Sequence, residues 1–249
     1  MNKNIIKNLS YIFLAGLAAL CSTFGTLPKP PSHNTKYTVG NTQKLLSYMT
    51  VALLRHDVDN NHYTAYCAGV WIDENRFITA YHCIENILSS GKITVPYAAA
   101  LDSYNAGATK FHFTSPRVAR VIDIDTNADL ALLETKGMVT FHYFANFDNS
   151  SIRVGNEIHI IGHTSGLAYT YSHGYISAIR YVKPFFSLRD IKLLQIDGRV
   201  YKGNSGGGVF DENGNLLGIS SFLLMDSNTP FFIPRDEILN FLKRSFTLN

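Results

Sequence analysis

A glycine-rich segment towards the C-terminal end of the chain contains the residue best suited to nucleophilic chemistry. It reads Gly203-Asn204-Ser205-Gly206-Gly207-Gly208, a serine in a turn whose neighbours carry almost no side chains. Such a turn lets backbone N–H groups face the carbonyl oxygen of a substrate. The hydroxyl of Ser205 could then attack the carbonyl carbon. Gly203, Asn204 and Ser205 would form an oxyanion hole, chiefly through the N–H groups of Gly203 and Ser205. An ordinary glycine-rich turn between strands is the alternative.

Acyl transfer of this kind also needs a general base near the serine. His82 follows an apolar segment in the run Phe77-Ile78-Thr79-Ala80-Tyr81-His82-Cys83, and we expect it to be that base. The chain has nine histidines, and what distinguishes His82 is that Cys67 and Cys83 flank it. In an exported protein such a pair is predicted to form a disulfide, which would fix the histidine loop. Two free buried thiols are the alternative.

An acidic residue must orient the base and stabilise its charged form. Asp129 lies directly before the apolar run Leu130-Ala131-Leu132-Leu133, and we predict this role for it because a strand would hold its position. Asp123 and Asp125 are nearby competitors, and an ordinary turn aspartate is the other interpretation.

Two further histidines, His159 and His163, are four positions apart and raise the alternative of a metal site. That spacing brings two histidines to one face in a helix. Residues 158–161 are expected to form a strand instead. We therefore predict no metal site and no cofactor.

The order of His82, Asp129 and Ser205, with their flanking residues, resembles trypsin-like peptidases, most closely the peptidase domain of the HtrA/Deg group. The resemblance covers most of residues 65–240, and its segments are Cys67-Ala68-Gly69-Val70 through His82-Cys83, Asp129-Leu130-Ala131-Leu132-Leu133, Ile161-Gly162-His163-Thr164-Ser165-Gly166-Leu167, Gly174-Tyr175-Ile176-Ser177 and Leu194-Gln195-Ile196-Asp197. It implies an all-β, chymotrypsin-like fold of two six-stranded antiparallel β-barrels with the active site between them. It also implies a serine endopeptidase that acts on protein or peptide substrates through an acyl-enzyme. Because few residues follow Phe232, we expect no PDZ domain of the kind that many HtrA proteins carry.

Two places depart from the pattern of that group. His163-Thr164 stands where the group commonly has Asn-Pro, and Gly208 stands where proline is usual, which leaves the local backbone at both places open. All three triad residue types are present. A silent or gated protein of the same fold, acting as a binding or chaperone-like module, is the alternative to an active enzyme.

Substrate-binding residues are expected on both sides of the serine. Arg199 occupies the position six residues before Ser205, where trypsin itself has an acidic residue, so cleavage after basic residues is disfavoured. Ser221, Phe222 and Leu223 are predicted to line a pocket for an apolar side chain. A plain exposed loop residue at position 199 and plain core at 222–223 are the alternatives.

The elements that must position these residues are predicted to be short strands. One group comprises residues 49–54, 68–72, 76–80, 92–95, 117–124 and 130–134, and a second comprises 157–162, 169–179, 192–196, 208–210, 216–224 and 231–233. The apolar runs alternate or contain β-branched residues, as strands do. Two helices are predicted, a short one over 83–88 and a C-terminal one over 235–246.

Composition restricts the class of protein. The chain has 249 residues, of which 46% are hydrophobic and 16% charged, as in a globular protein with a sizeable core. The net charge of +3 comes from scattered lysines and arginines, so nucleic acid is not an expected partner.

The N-terminal region is predicted to direct export. Residues 1–25 combine a basic start with an apolar run and are typical of a signal peptide or membrane anchor. We expect a periplasmic or secreted protein, with membrane tethering or lipidation at Cys21 as alternatives. Residues 26–42 read as a Pro-rich linker and 43–246 as the peptidase domain, with barrels at about 43–146 and 150–234. The sequence does not predict an oligomeric state.

Overall fold

The secondary structure is mostly antiparallel strand. The computed structural model describes residues 39–57, 59, 61–89, 96–99, 101–103, 112–136, 143–148, 151–224 and 226–247. Strands of the N-terminal part are β1 (Thr50–Asp57), β2 (His62–Trp71), β3 (Arg76–Ala80), β4 (Tyr97–Ala99), β5 (Leu101–Ser103), β6 (His112–Phe113), β7 (Arg117–Asp125) and β8 (Leu130–Thr135). Those of the C-terminal part are β9 (Glu157–Gly162), β10 (Thr170–Val182), β11 (Ile191–Gly198), β12 (Gly208–Phe210), β13 (Leu216–Leu224) and β14 (Thr229–Pro234). The α-helices in these ranges are α1 (Val39–Met49), α2 (His82–Ser89) and α3 (Arg235–Thr247).

Twelve of these strands close into two barrels of six. The first has the order β1-β2-β3-β8-β7-β4 and the second the order β10-β11-β14-β13-β12-β9, while β5 and β6 form a separate two-stranded sheet. Neighbouring strands within both barrels pair in antiparallel fashion. The predicted chymotrypsin-like fold of two six-stranded barrels with a C-terminal helix is therefore confirmed.

The first barrel is filled by apolar side chains that face inward along its strands. Val51 and Leu53, two positions apart on β1, pack in one cluster with Trp71, Phe77 and Leu133. Each of the five is at most 2% exposed. The period of two follows from the pleat of a strand, which turns alternate side chains to the same face.

The second barrel repeats this arrangement with branched aliphatic residues. Ile158 and Ile160 on β9 pack with Ile176, Leu194 and Phe232, and all five are at most 1% exposed. Burying side chains of this size stabilises a fold by about 1.5–3 kcal/mol each. Both barrels thus have a core of their own.

A further apolar cluster joins the two barrels and the C-terminal helix. It contains Ile78 and Leu132 from the first barrel, Ile161 and Ile219 from the second, and Phe241 of α3. Because these side chains are almost fully buried, the barrels are held against each other rather than merely linked by the chain. A cleft at their boundary therefore has rigid walls.

Helix α1 is a feature that the sequence analysis missed. It begins at Val39, inside the segment 26–42 that was predicted to be a linker. Thr42, Leu46 and Met49 have the i, i+4, i+7 spacing of a helix face, and all three are buried. That spacing was the available signal, but the strand predicted over 49–54 included Met49 and obscured it.

The other element predictions mostly match the structure. The boundaries of β3 and β13 agree to the residue, and α3 extends one residue beyond the predicted 235–246. The predicted strand at 92–95 and the predicted signal peptide at 1–25 lie outside the described residues. Within the described part of the chain, no helix combines the length and the apolar character that crossing a membrane requires.

Candidate active site

The side chains of His82 and Asp129 are in direct contact. Nδ1 of His82 lies 2.9 Å from Oδ2 and 3.2 Å from Oδ1 of Asp129, and the His82 backbone N–H donates to Oδ1 at 2.9 Å. A carboxylate against Nδ1 keeps the proton of a neutral ring on that nitrogen. Nε2 is then left as an acceptor, which is the tautomer that a general base needs.

The pairing of β3 with β8 brings these two residues together. Ala80 lies opposite Leu130, so His82 follows the end of one strand at the point where Asp129 precedes the start of the other. The N–H of Tyr81 donates to the carbonyl oxygen of Asp129 at 3.0 Å. Asp129 has a φ of 51°, a left-handed conformation that aspartate tolerates better than most residues and that ends the turn before β8.

The competing aspartates have other partners. Asp125 accepts the N–H groups of two turn residues at 3.0 Å and pairs with Arg244 of α3. Asp123 accepts the hydroxyl of Ser245 at 2.6 Å. Of the three candidates, Asp129 is the one whose carboxylate contacts the ring of the proposed base.

The carboxylate of Asp129 has a second side-chain partner. Asp129 is 4% exposed, and its Oδ2 also accepts a 2.5 Å hydrogen bond from the hydroxyl of Ser221. Burial lowers the pKa of His82, but the hydrogen bond and negative charge of Asp129, with a contribution from Glu85, outweigh it. The net result raises the pKa of His82 above its ordinary value of 6.5.

A disulfide connects α2, the helix that begins at His82, to the first barrel. Cys67 on β2 and Cys83 on α2 are bonded, with their Cα atoms 6.2 Å apart. A cross-link over sixteen positions stabilises a fold by about 3 kcal/mol in the chain-entropy account. The N–H of Ala68, next to Cys67, donates at 2.8 Å to the carbonyl oxygen of Ser205. The serine segment is thus attached to the part of the barrel that the disulfide stabilises.

Two glycines around Ser205 cannot be replaced without a backbone clash. Gly203 has a φ of +97°, and a Cβ there would lie 2.1 Å from the carbonyl oxygen of His163. Gly206 has a φ of +79°, and a Cβ there would lie 2.2 Å from the carbonyl oxygen of Ala68 and 2.1 Å from Oγ1 of Thr79. These positions require glycine because both the left-handed backbone and the close approach exclude a side chain.

Some backbone N–H groups of residues 203–205 are available to a substrate, and one is already used within the loop. Within the described part of the chain, those of Gly203 and Ser205 have no hydrogen-bond partner. The N–H of Asn204 instead donates to the carbonyl of Tyr201 at 3.1 Å. Its amide oxygen accepts the hydroxyl of Thr164 at 2.8 Å, and the residue is 2% exposed. Asn204, which the sequence analysis included in the oxyanion hole, therefore holds the loop in shape, because its N–H is already used.

The loop after β9 supports this segment through its backbone. The N–H of Ser165 donates to the carbonyl of Lys202 at 2.7 Å, and the N–H of His163 donates to that of Gly203 at 3.3 Å. Together with the Thr164 hydroxyl, three consecutive residues therefore bond to the chain just before Ser205. This is the stretch in which His-Thr departs from the Asn-Pro of the HtrA/Deg group.

His163 links the two barrels through its ring. Nε2 donates to the carbonyl oxygen of Val51 at 3.2 Å, while Nδ1 accepts the N–H of Tyr169 at 3.4 Å. The side chain is fully buried, and burial lowers its pKa to about 4. His163 is therefore neutral at physiological pH and holds a fixed tautomer.

The three predicted triad residues line one cleft. Its volume is about 720 Å³, and His82, Asp129 and Ser205 are all on its wall. The predicted pocket residues Phe222 and Leu223 also line it, as does Ser221.

Arg199 differs from the other predicted substrate-binding residues. Its side chain is exposed, and it is not among the residues that line the cleft, although its neighbour Val200 is. The carbonyl oxygen of Arg199 accepts the hydroxyl of Ser172 at 2.8 Å. Substrate contact by Arg199 stays a prediction.

Comparison with known families agrees with this geometry. The family described as a trypsin-like peptidase domain matches residues 67–219, which is more than half of the chain and includes His82, Asp129 and Ser205. The chain belongs to the trypsin-like peptidase family.

Curated relatives of this peptidase domain include members of the HtrA/Deg group. A probable periplasmic serine endoprotease, DegP-like, of Bartonella henselae is 30% identical over 66% of this chain and 29% of its own length. The serine protease HTRA1 of Xenopus tropicalis is 30% identical over 51% of this chain and 28% of its own length. This chain thus spans less than a third of the length of the curated relatives it matches.

Solved structures share the fold of this trypsin-like domain. The active form of the Rv3671c protease from M. tuberculosis aligns with a TM-score of 0.65 at 18% identity, covering 82% of this chain and 83% of that one. The Deg5 structure aligns with a TM-score of 0.63 at 21% identity, covering 80% and 90%. At these identities the likeness concerns the fold alone.

The rings of His159 and His163 are engaged in other contacts. Nδ1 of His159 lies 2.7 Å from the hydroxyl of Tyr171, and both ring nitrogens of His163 have backbone partners. In the described ranges, the group of potential metal ligands that converges is Cys67, His82 and Cys83, and its two sulfurs are bonded to each other. The alternative of a His159–His163 metal site thus finds no support in these contacts.

Sequence reasoning missed two contacts that shape this peptidase site. Ser221 was predicted only to line the pocket, whereas its hydroxyl bonds to Asp129. Thr164 was noted as a departure, but its bond to Asn204 was not anticipated. Neither contact has a local signal, because each joins residues that are distant in the chain and meet only in the folded barrels.

Proposed function

We propose that this chain is a serine endopeptidase in which Ser205 is the nucleophile, His82 the general base and Asp129 the residue that orients and stabilises His82. The observation that carries the proposal is the contact of His82 Nδ1 with Asp129 Oδ2 at 2.9 Å in the cleft that Ser205 lines. The family membership and the serine endoproteases among the relatives support it.

The mechanism uses the chain's own groups at each step. Nε2 of His82 takes the proton of the Ser205 hydroxyl as its oxygen attacks the carbonyl carbon of the substrate. The N–H groups of Gly203 and Ser205 donate to the oxyanion that develops. The proton then passes from His82 to the leaving amine, and water later hydrolyses the acyl-enzyme by the same route.

The relatives support a proposal for substrates and location. The DegP-like relative is described as periplasmic, and we extend export to this chain together with protein or peptide substrates. We propose that the domain that carries the activity runs from α1, which begins at Val39, to the end of α3, whereas the boundaries 43–246 stay a prediction.

Hydrolysis of an unfolded protein tests the proposal. The full chain should release peptides from denatured casein, and Ser205→Ala should lower turnover by roughly a million-fold. Ser177→Ala is the matched control, because Ser177 is exposed on β10 and its hydroxyl bonds to the Gln195 carbonyl, away from the cleft residues. Equal hydrolysis by the Ser205→Ala chain would reject Ser205 as the nucleophile.

The alternative is a protease-fold protein that is silent or gated and acts as a binding module. It predicts that a folded chain binds denatured casein without cleaving it. Folding is checked by cooperative thermal unfolding, so that an inactive preparation is distinguished from an unfolded one.

A further inference from the structure

Three phenylalanines form one wall of the cleft that contains Ser205. Phe185 and Phe186 lie in the loop between β10 and β11, and Phe222 lies on β13; we call these three residues the aromatic wall. Their ring centroids are 5.3–5.9 Å apart in edge-to-face geometry, and all three line the cleft. Of these three residues, Phe222 was predicted to line the pocket, whereas Phe185 and Phe186 were not.

The aromatic wall is attached to the core of the second barrel. The ring of Phe222 stacks on that of Phe231 with centroids 5.0 Å apart and planes 10° from parallel, and Phe231 is 5% exposed. Edge-to-face and offset-stacked contacts between aromatic rings stabilise their arrangement beyond the area they bury. Phe222 is thus fixed by the buried ring of Phe231, and it in turn supports the rings of Phe185 and Phe186.

Contacts just after Phe186 hold the loop that carries Phe185 and Phe186. The hydroxyl of buried Ser187 donates to the carbonyl of Arg189 at 2.8 Å and accepts its N–H at 3.2 Å. The N–H of Leu188 donates to Oδ1 of Asn127 at 2.8 Å, in the turn that leads to Asp129. The loop therefore has a fixed position relative to the triad.

The outer ring of the wall is left in water. Phe185 is 87% exposed even though it borders a cleft, and exposed apolar area is unfavourable until another apolar surface covers it. The neighbouring lining residues Val200 and Leu223 are apolar too. Among the described lining residues outside the triad, the charged ones are Glu85 and Lys202, whose opposite signs favour neither acidic nor basic side chains.

We infer that the aromatic wall is a specificity determinant that binds a large apolar side chain, aromatic or branched aliphatic, of a peptide in the cleft. The inference deepens the proposed function, since the peptide would be the substrate, but binding at the wall does not depend on catalysis. Phe185 contributes the contact area, while Phe222 holds the geometry. A pocket that gains or loses one apolar contact changes selectivity by roughly tenfold or more.

Binding is measured on the full chain carrying Ser205→Ala, with Phe185→Trp as a fluorescent reporter. The chain has one native tryptophan, Trp71, which is 2% exposed and gives a constant background. The probes are capped hexapeptides of Gly and Ser with Phe, Leu, Ala or Lys at one central position. Leu188→Trp is the matched control, because Leu188 is on the same loop and 85% exposed but does not line the cleft.

The Phe and Leu peptides should shift the emission of the Phe185→Trp chain and bind at least roughly tenfold more tightly than the Ala peptide. The Leu188→Trp chain should show no shift. Phe185→Ala, assayed by calorimetry, should lose most of the preference for Phe over Ala. Equal affinities for the Phe and Ala peptides, or an undiminished preference in Phe185→Ala, would overturn the inference. Failure of the Ser205-containing chain to hydrolyse casein rejects the proposed function alone, because this binding assay needs no catalysis.

Discussion

The hydroxyl of Ser221 donates to the same carboxylate oxygen of Asp129 that contacts Nδ1 of His82. Ser221 comes from β13 of the second barrel, whereas Asp129 and His82 belong to the first, so this bond crosses the barrel boundary. A hydroxyl that donates to a buried carboxylate stabilises its charged form and fixes its orientation. The orientation of His82 therefore depends on the docking of both barrels.

Replacing Ser221 by alanine should lower kcat/KM by roughly tenfold or more, since a hydrogen bond to a charged group is worth about 1.5–3 kcal/mol. The buried Asp129 would keep His82 as a partner but lose the donor that fixes Oδ2. The measurement is peptide hydrolysis by the full chain, with Ser177→Ala as control. A Ser221→Ala chain as active as its parent would show that the bond has no role in turnover.

The pH dependence of hydrolysis should report the pKa of His82. Because Asp129 raises that pKa above 6.5 and the base must be neutral, kcat/KM should rise with pH through a midpoint above 6.5. Asp129→Asn removes the charge that raises the pKa and leaves burial, which lowers it. The midpoint should move down, and turnover should fall by roughly ten-thousand-fold because the tautomer is no longer held. An unchanged midpoint in Asp129→Asn would contradict this assignment.

Thr164→Val should reduce kcat more than it changes KM. The substitution keeps the shape of the side chain but leaves the amide oxygen of buried Asn204 without the Thr164 hydroxyl, so the segment that carries the Gly203 N–H loses one support. Small displacements of oriented groups lower rates by roughly ten- to hundredfold. Thr170→Val is the control, since it removes a hydroxyl bond to the Leu167 carbonyl in the same loop. Equal effects of both variants on kcat would reject the specific role of Thr164.

Acid should destabilise the fold through His163. The pKa of His163 is about 4 in the folded chain, whereas an unburied histidine of the unfolded chain has the ordinary value of 6.5. Between pH 4 and pH 6.5 the unfolded chain therefore binds more protons than the folded chain. The stabilisation by the neutral ring is complete above pH 6.5 and is lost as pH falls to about 4, by about 3 kcal/mol in total. Urea unfolding at pH 7, 5.5 and 4 measures it. His163→Gln should unfold more easily at pH 7, but its free energy of unfolding should change less with pH than that of the parent chain. An equal dependence on pH in both chains would contradict the role of His163.

Much of the fold could be predicted because its signal is local. The strands β3 and β13 were predicted to the residue, since alternating apolar side chains and turn residues mark their ends. Helix α1 was missed because a helix of this length beside a strand has few periodic positions, and Leu46 and Met49 were as compatible with a strand entry. Tertiary packing on the barrels decides its conformation.

The site, too, could be predicted only where its signal is local. His82, Asp129 and Ser205 could be nominated because each lies in a distinctive local segment. The two bonds that Ser221 and Thr164 make could not be, because the first spans 92 positions and the second 40. Burial of Asn204 likewise follows from the loop after β9 and not from its own neighbours.

The most direct measurement for the central claim is labelling of the full chain with a fluorophosphonate, which reacts only with an activated serine, followed by identification of the labelled peptide by mass spectrometry. We expect a label on Ser205, loss of that label in Ser205→Ala, and strongly slowed labelling in Asp129→Asn. A folded chain that takes no label, or takes it at a serine outside the cleft, would show that Ser205 is not the activated nucleophile.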